Sequence, residues 1–182
     1  MADPIYGWHF VKADKRLGYN DGRKIRKGTT LRVDVAPELC ERGLHASPFA
    51  LETLRYAPGP IACFVRLGGI IVGPNKEHPD KMAATERTVI AYVDATPPLR
   101  KFIRDTLIYR QGPVAALFDK ALLPEQAHAI RAVDMGTASF ADIQTVFAAA
   151  WAAARDALNN KLEARLFAAM KITDPRLEAP HA

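Results

Sequence analysis

Residues 39–56 read LCERGLHASPFALETLRY, and this stretch decides how the first half of the chain is interpreted. A short apolar run ends at His45. Ser47 followed by Pro48 is typical of a helix start, and we expect this helix to run to about Tyr56. The first N–H groups of a helix lack partners within it, and the dipole is positive at that end. The corner between strand and helix is therefore a place where a ligand would bind beside His45.

Two further segments are expected to reach the same corner. GWHF at residues 7–10 puts His9 on a strand, and TERTVI at residues 85–90 puts Glu86 at the start of another. We therefore predict that His9, His45 and Glu86 converge on one cleft. A buried structural histidine and an exposed glutamate are the simpler alternatives. No spacing of histidines and cysteines supports a metal site.

Alternating, β-rich segments separated by turn residues predict an α+β domain with mostly antiparallel strands over residues 1–95. The predicted strands cover residues 5–11, 29–35, 44–46, 61–67, 70–72 and 88–93. Gly68-Gly69 favours a hairpin between residues 61–67 and 70–72.

After residue 95 the composition becomes helical. We expect an all-helical segment over residues 96–172 and a loose tail over residues 173–182. In this segment, helices are predicted over residues 96 to about 110, 114–122, 125–133, and 139 to about 171. Ser139 with Asp142 resembles a capping box at the start of the last helix.

The last helix is predicted to be amphipathic because its apolar residues recur at steps of three and four. The stripe contains Phe140, Ile143, Phe147, Trp151, Ala154, Leu158, Leu162, Leu166 and Ala169. Its far half has few neighbouring elements in the sequence to cover it. Leu158 and Leu162 are therefore the predicted contacts with a second copy of the chain, as a homodimer, or with a target protein.

The net charge of +5 is concentrated near the N-terminus. Residues 12–32 contain eight basic and two acidic residues, so this stretch is more positive than the whole chain. A dense basic stretch attracts phosphates or acidic surfaces, and Arg23, Lys24, Arg26 and Lys27 are its predicted partner-binding residues. The alternative is an ordinary solvated loop.

Composition excludes several classes of protein. No apolar run approaches the length of a membrane span, and the first residues do not resemble a secretory signal. Two cysteines, Cys40 and Cys63, are too few for a disulfide framework. We therefore expect a cytoplasmic protein, in the host cytoplasm if it is encoded by a phage. The common nucleotide-binding, hydrolase and metalloprotease motifs are absent from the sequence.

The motifs GWHF, LCERGLHAS, LRYAPGP and ATERTV together resemble a family of uncharacterised phage and bacterial proteins. The resemblance covers roughly residues 6–95. It supplies no established activity. We expect a phage-type accessory protein: a non-enzymatic interaction protein that uses the basic stretch or the long helix to bind a host protein or a nucleic acid, in a role such as countering host defence.

The chain also resembles, more remotely, the ADP-ribosyltransferase fold. GLHAS followed by Tyr56 is similar to that family's second element, Trp8-His9 to its first, and Glu86 to its third. The resemblance implies NAD as a cofactor and catalytic roles for His9, His45 and Glu86.

In that interpretation the cofactor-binding residues are Trp8, Ser47 and Tyr56. Phe10 stands where the family has a small residue, and His45 stands where it has an aromatic one. An NAD-dependent enzyme that modifies a macromolecule is therefore the alternative function.

Overall fold

A long antiparallel pair of strands is the centre of the fold. The computed structural model describes residues 3–18, 21–105 and 137–177. Within these ranges the strands are β1 (Ile5–Val11), β2 (Thr30–Arg32), β3 (Leu44–Ala46), β4 (Ile61–Val72) and β5 (Met82–Asp94). The helices described are α1 (Ala50–Leu54), α2 (Thr96–Ile103) and α3 (Phe140–Met170). The expected α+β class with an antiparallel sheet is confirmed.

The sheet curls back on itself. Its order is β1-β4-β5-β2, and β3 pairs with β5 beside β2. Trp8 and Ser47 exchange two backbone hydrogen bonds of 2.7 and 2.9 Å, which join β1 to the end of β3. Gly7 permits this approach, because a Cβ there would lie 2.9 Å from the carbonyl oxygen of Ser47. The sheet therefore has an inner face and an outer, helix-covered face.

The predicted hairpin at Gly68-Gly69 is wrong. Residues 61–72 form one strand, β4, whose pairing with β5 shifts register between Gly68 and Ile71. Gly69 adopts a φ of +67°, and Thr85 Oγ1 accepts the Ile70 N–H at 2.9 Å, so the glycines form a bulge. The hairpin instead joins β4 to β5, which begins at Met82 rather than at residue 88.

Strand alternation sends apolar side chains to both faces. The cluster on the helix-covered face contains Trp8, Phe10, Leu51, Leu54, Phe64, Leu99, Phe102, Ile103, Leu158, Leu162, Leu166 and Phe167, among others. The cluster on the inner face contains Val11, Leu17, Ile25, Leu31, Leu44, Ala46, Ile61, Cys63, Val65, Leu67, Met82, Ala84 and Val89. At residue 95, where we expected the α+β domain to end, the secondary structure changes from strand to helix. Residues on both sides of this position belong to the same helix-covered core.

Helix α3 begins as expected. Ser139 Oγ accepts the Asp142 N–H, and the Asp142 carboxylate accepts the Ser139 N–H, so the capping box is present. Leu158 and Leu162 have no exposed surface, because both pack into the helix-covered core of the same chain. Their prediction as dimer or target contacts is therefore wrong. The helices predicted within residues 106–136, and most of the stripe between residues 143 and 157, lie outside the described residues and side chains.

Candidate functional site

His9 lies on the inner face of β1. It pairs with Cys63 across β4, while its neighbours Trp8 and Phe10 point into the helix-covered core. Burial lowers the pKa of His9 well below 6.5, and the positive charge of Arg87 and the nearby His45 lower it further. The imidazole is therefore neutral at pH 7.

His45 holds a turn in place. Its ring Nε2 lies 3.1 Å from the backbone nitrogen of Cys40 and 3.3 Å from the carbonyl oxygen of Glu38. Leu44 and Ala46 on either side of it face the inner core, and the ring projects to the opposite side of β3. Burial, together with the charge of Arg87, lowers the pKa of His45 despite hydrogen bonds with the backbone that raise it. This is a structural arrangement.

Glu86 lies on the other face of the sheet from His9. It pairs with Arg32 of β2, whose Nε lies 2.9 Å from Glu86 Oε1, and this ion pair is partly exposed. The next residue, Arg87, pairs with Leu31 and so faces the inner core. The predicted convergence of the three residues is therefore wrong. Glu86 instead borders a shallow surface groove lined by Arg32, Val33, Asp34, Val35, Ala36, Ile70 and Thr85.

The predicted cofactor-binding residues are also separated. Trp8 has no exposed surface and packs on Phe64 and Phe167 with ring centroids 5.0 Å away in both cases. Ser47 is buried, and its hydroxyl accepts the Phe49 N–H at 3.2 Å. Tyr56 is half exposed, with Lys81 Nζ 4.9 Å above its ring. Of these three predicted residues, Tyr56 alone presents a ring to solvent.

The start of helix α1 differs from the expected helix start. Its N-cap is Phe49 rather than Ser47, and no cap from the Phe49 side chain exists. Glu163 Oε1 of α3 accepts the Ala50 N–H at 3.0 Å, and Asn159 Oδ1 accepts the Leu51 N–H at 3.1 Å.

At the other end of α1, Gln144 Nε2 donates to the carbonyl oxygens of Leu54 and Ala57, at 2.9 and 3.2 Å. Helix α3 therefore caps both ends of α1. The N–H groups of Ala50 and Leu51, where a ligand was expected, already have internal acceptors in the Glu163 carboxylate and the Asn159 amide.

The basic segment, residues 12–27, is ordered where the structure describes it. Leu17 and Ile25 are buried in the inner core, and their N–H groups bond to the carbonyl oxygens of Arg23 and Lys15 at 3.0 and 2.9 Å. Arg23 is held internally, because its Nε and Nη2 each lie 2.7 Å from a carboxylate oxygen of Asp21. It is therefore not a free binding residue.

Lys24, Arg26 and Lys27 are exposed, and within the described ranges none of them forms an ion pair. The short loop therefore displays three free positive charges within four positions. Lys12, at the start of the basic segment, is exposed as well.

Arg87 is the residue that sequence reasoning missed. Its side chain is 2% exposed, and Nη1 donates to the carbonyl oxygen of His45. Its Nε is buried without a partner in the described part of the chain. Burial lowers the pKa of Arg87 to about 10, so the side chain remains charged at pH 7. The sequence did contain a signal for this residue. Arg87 lies two positions before Val89, so on a strand both side chains face the same side, which places a charge among core positions.

Cys63 is also inert at neutral pH. Burial raises the pKa of its thiol to about 12, so no thiolate is present to balance the charge of Arg87. The described side chains include no cluster of three or more histidine, cysteine, aspartate and glutamate residues arranged for a metal ion.

Comparisons with known proteins return no relatives: no family model, no curated protein and no solved structure matches the chain. Among the helices described, none is both long enough and apolar enough to cross a membrane. The cytoplasmic location stays a prediction.

Proposed function

We propose that the protein is a non-enzymatic binding protein that holds a nucleic acid on its basic segment. The observation that carries this proposal is the exposed set Lys24, Arg26 and Lys27 on a loop fixed to the inner core by Leu17 and Ile25. A loop that is already ordered loses less conformational entropy when it binds, so its charges contribute more to affinity. The phage-type accessory role, including action against host defence, fits this function and stays a prediction.

The pattern of charge favours a nucleic acid over an acidic protein. Residues 22–33 contain five basic residues and no acidic residue. Two of these basic residues, Arg23 and Arg32, are paired with carboxylates from outside that range. A surface that carries only positive charge complements the uniform negative charge of a phosphate backbone, whereas protein surfaces carry both positive and negative charges. An acidic host protein is the other outcome that the experiment distinguishes.

The ADP-ribosyltransferase-like alternative is less well supported. It needs a carboxylate on the face that holds His9, so that the carboxylate can stabilise a positively charged transition state. Glu86 is paired with Arg32 on the other face, and Trp8 is enclosed by core side chains. These two observations weigh against NAD chemistry at the predicted residues.

The test is oligonucleotide binding by two double variants of equal net charge. Lys24→Glu/Lys27→Glu reverses the proposed surface, and Lys76→Glu/Lys161→Glu reverses exposed lysines elsewhere. Fluorescence anisotropy with a duplex probe, between roughly 50 and 200 mM salt, should show affinity that falls steeply for the unmodified protein. The first variant should bind weakly, with a salt slope about 2 smaller, since each lost phosphate contact removes about 0.9.

Equal weakening by both double variants would show that only net charge acts. No binding of the unmodified protein to duplex or single-stranded probes, with retained capture of an acidic protein partner, would reject the nucleic-acid assignment. Circular dichroism of each variant establishes that it is folded.

A further inference from the structure

The charge of Arg87 has no counter-ion in the described chain. The side chain is 2% exposed, and among the described residues its one hydrogen bond runs from Nη1 to the neutral carbonyl group of His45. The negative charge of Asp21 raises the pKa of Arg87, but both Asp21 oxygens are already bound by Arg23. Buried charges are normally paired and their donors satisfied, because an unpaired one is costly to desolvate.

The groups around Arg87 do not remove this imbalance. His9 lies on the same inner face and is neutral, and Cys63 is a neutral thiol. Leu31 and Leu67 flank Arg87 across the two neighbouring strands and contribute only apolar surface. The inner face therefore combines a fixed positive charge, whose Nε–H has no partner among the described residues, with a neutral imidazole on the same face.

We propose that Arg87 and His9 form a binding site for a phosphate group on the inner face of the sheet. The guanidinium presents N–H donors in a planar fork that matches phosphate oxygens, and burial strengthens such charge-assisted bonds. The neighbouring basic segment raises the local concentration of phosphates. This site goes beyond the proposed function, since it needs neither a nucleic acid nor Lys24, Arg26 and Lys27.

The ligand is inorganic phosphate or the phosphate monoester of a small molecule. Thermal unfolding and isothermal titration with inorganic phosphate, adenosine 5′-monophosphate and adenosine distinguish these sources. Tighter binding of the monophosphate than of phosphate identifies an ester, and equal or weaker binding identifies the free ion. Adenosine and acetate, at matched ionic strength, should give no saturable effect. Binding of acetate as tight as that of phosphate would overturn the assignment to phosphate.

The variant Arg87→Met separates a binding role from a structural one. Without phosphate it should be at least as stable as the unmodified protein, because an apolar side chain of similar length removes an unpaired buried charge. It should also bind phosphate at least tenfold more weakly. Arg66→Met, the same change at an exposed position of β4, should alter neither property. Unchanged phosphate binding in Arg87→Met would overturn the proposal.

A measurement on the unmodified protein keeps the proposal testable if Arg87→Met fails to fold. Nuclear magnetic resonance should show the Arg87 Nε–H and His9 ring signals moving together, and saturating, as phosphate is added. Chloride at the same ionic strength should leave them in place. If neither signal moves with phosphate, Arg87 has a purely structural role. The double variant of Lys24 and Lys27 should keep the saturable response, so failure of one proposal does not imply failure of the other.

Discussion

Asn159→Ala tests whether helix α3 supplies the caps of α1. Asn159 is 5% exposed, accepts the Leu51 N–H at 3.1 Å and donates to Glu163 Oε1 at 2.9 Å. The substitution leaves a buried N–H without an acceptor, which costs about 1–3 kcal/mol, and loses a bond to a carboxylate of about 1.5–3 kcal/mol. Greater helix propensity returns about 0.5 kcal/mol. We expect the free energy of unfolding to fall by about 2–5 kcal/mol.

Asn160→Ala is the matched control, because Asn160 is the next residue of α3 and is exposed. It gains the same helix propensity without losing a buried bond, so its stability should rise by about 0.5 kcal/mol. Urea denaturation gives both values, and thermal melting should separate the variants by roughly 5–20 °C for a chain of this size. If the free energies of unfolding of the two variants differ by less than about 0.5 kcal/mol, the capping bonds do not stabilise the fold.

Three further predictions concern the core, a close backbone contact at Gly59 and the histidines. Leu162→Ala should lower the free energy of unfolding by about 2–5 kcal/mol and leave the mass in solution unchanged, as light scattering would show, because the side chain is fully buried within one chain. Gly59→Ala should cost about 1–3 kcal/mol in chemical denaturation, since a Cβ there would lie 2.7 Å from the Cα of Lys12; Gly18→Ala, where a Cβ would meet no described atom within 4 Å, should cost under about 1 kcal/mol. His9 and His45 should titrate below pH 6.5 by nuclear magnetic resonance. Because the unfolded chain then binds more protons, stability should fall as pH falls through 6.5, and a titration at or above 6.5 would contradict the burial argument.

Local signals predicted the elements that local chemistry determines. The strands predicted over residues 5–11 and 44–46 match β1 and β3 in their bounds. The capping box at Ser139 also predicted the start of α3, because both of its hydrogen bonds join residues three positions apart. Each of these patterns is complete within a few residues.

Longer-range pairing decided the rest of the fold. Two adjacent glycines are typical of both a tight turn and a bulge, and only the continuous pairing of β4 with β5 selects the bulge at Gly69. Similarly, Ser47 is a good cap by type, yet the residues that cap α1 lie more than 100 positions away on α3. No window around Ser47 contains that information.

The predicted convergence of His9, His45 and Glu86 was wrong for a related reason. Ala84 and Arg87 both face the inner core although they are three positions apart, so the alternation of β5 shifts between them. Glu86 therefore points outward, and the buried charge falls on its neighbour Arg87. The net charge of the basic segment does not depend on strand phase, and Lys24, Arg26 and Lys27 are exposed, whereas Arg23 is held internally by Asp21. That these residues bind a partner stays a prediction.

The capping of α1 by α3 also sets an order of events during translation. Ala50 and Leu51 are synthesised 113 and 108 residues before Glu163 and Asn159, respectively. At usual elongation rates of about 5–20 residues per second, the nascent chain waits roughly 5–20 s for its caps. A five-residue helix is not stable alone, so this corner stays open to water and to chaperones until α3 leaves the ribosome. The growing chain therefore completes its central packing late, and premature termination before Asn159 would yield a product without a formed α1.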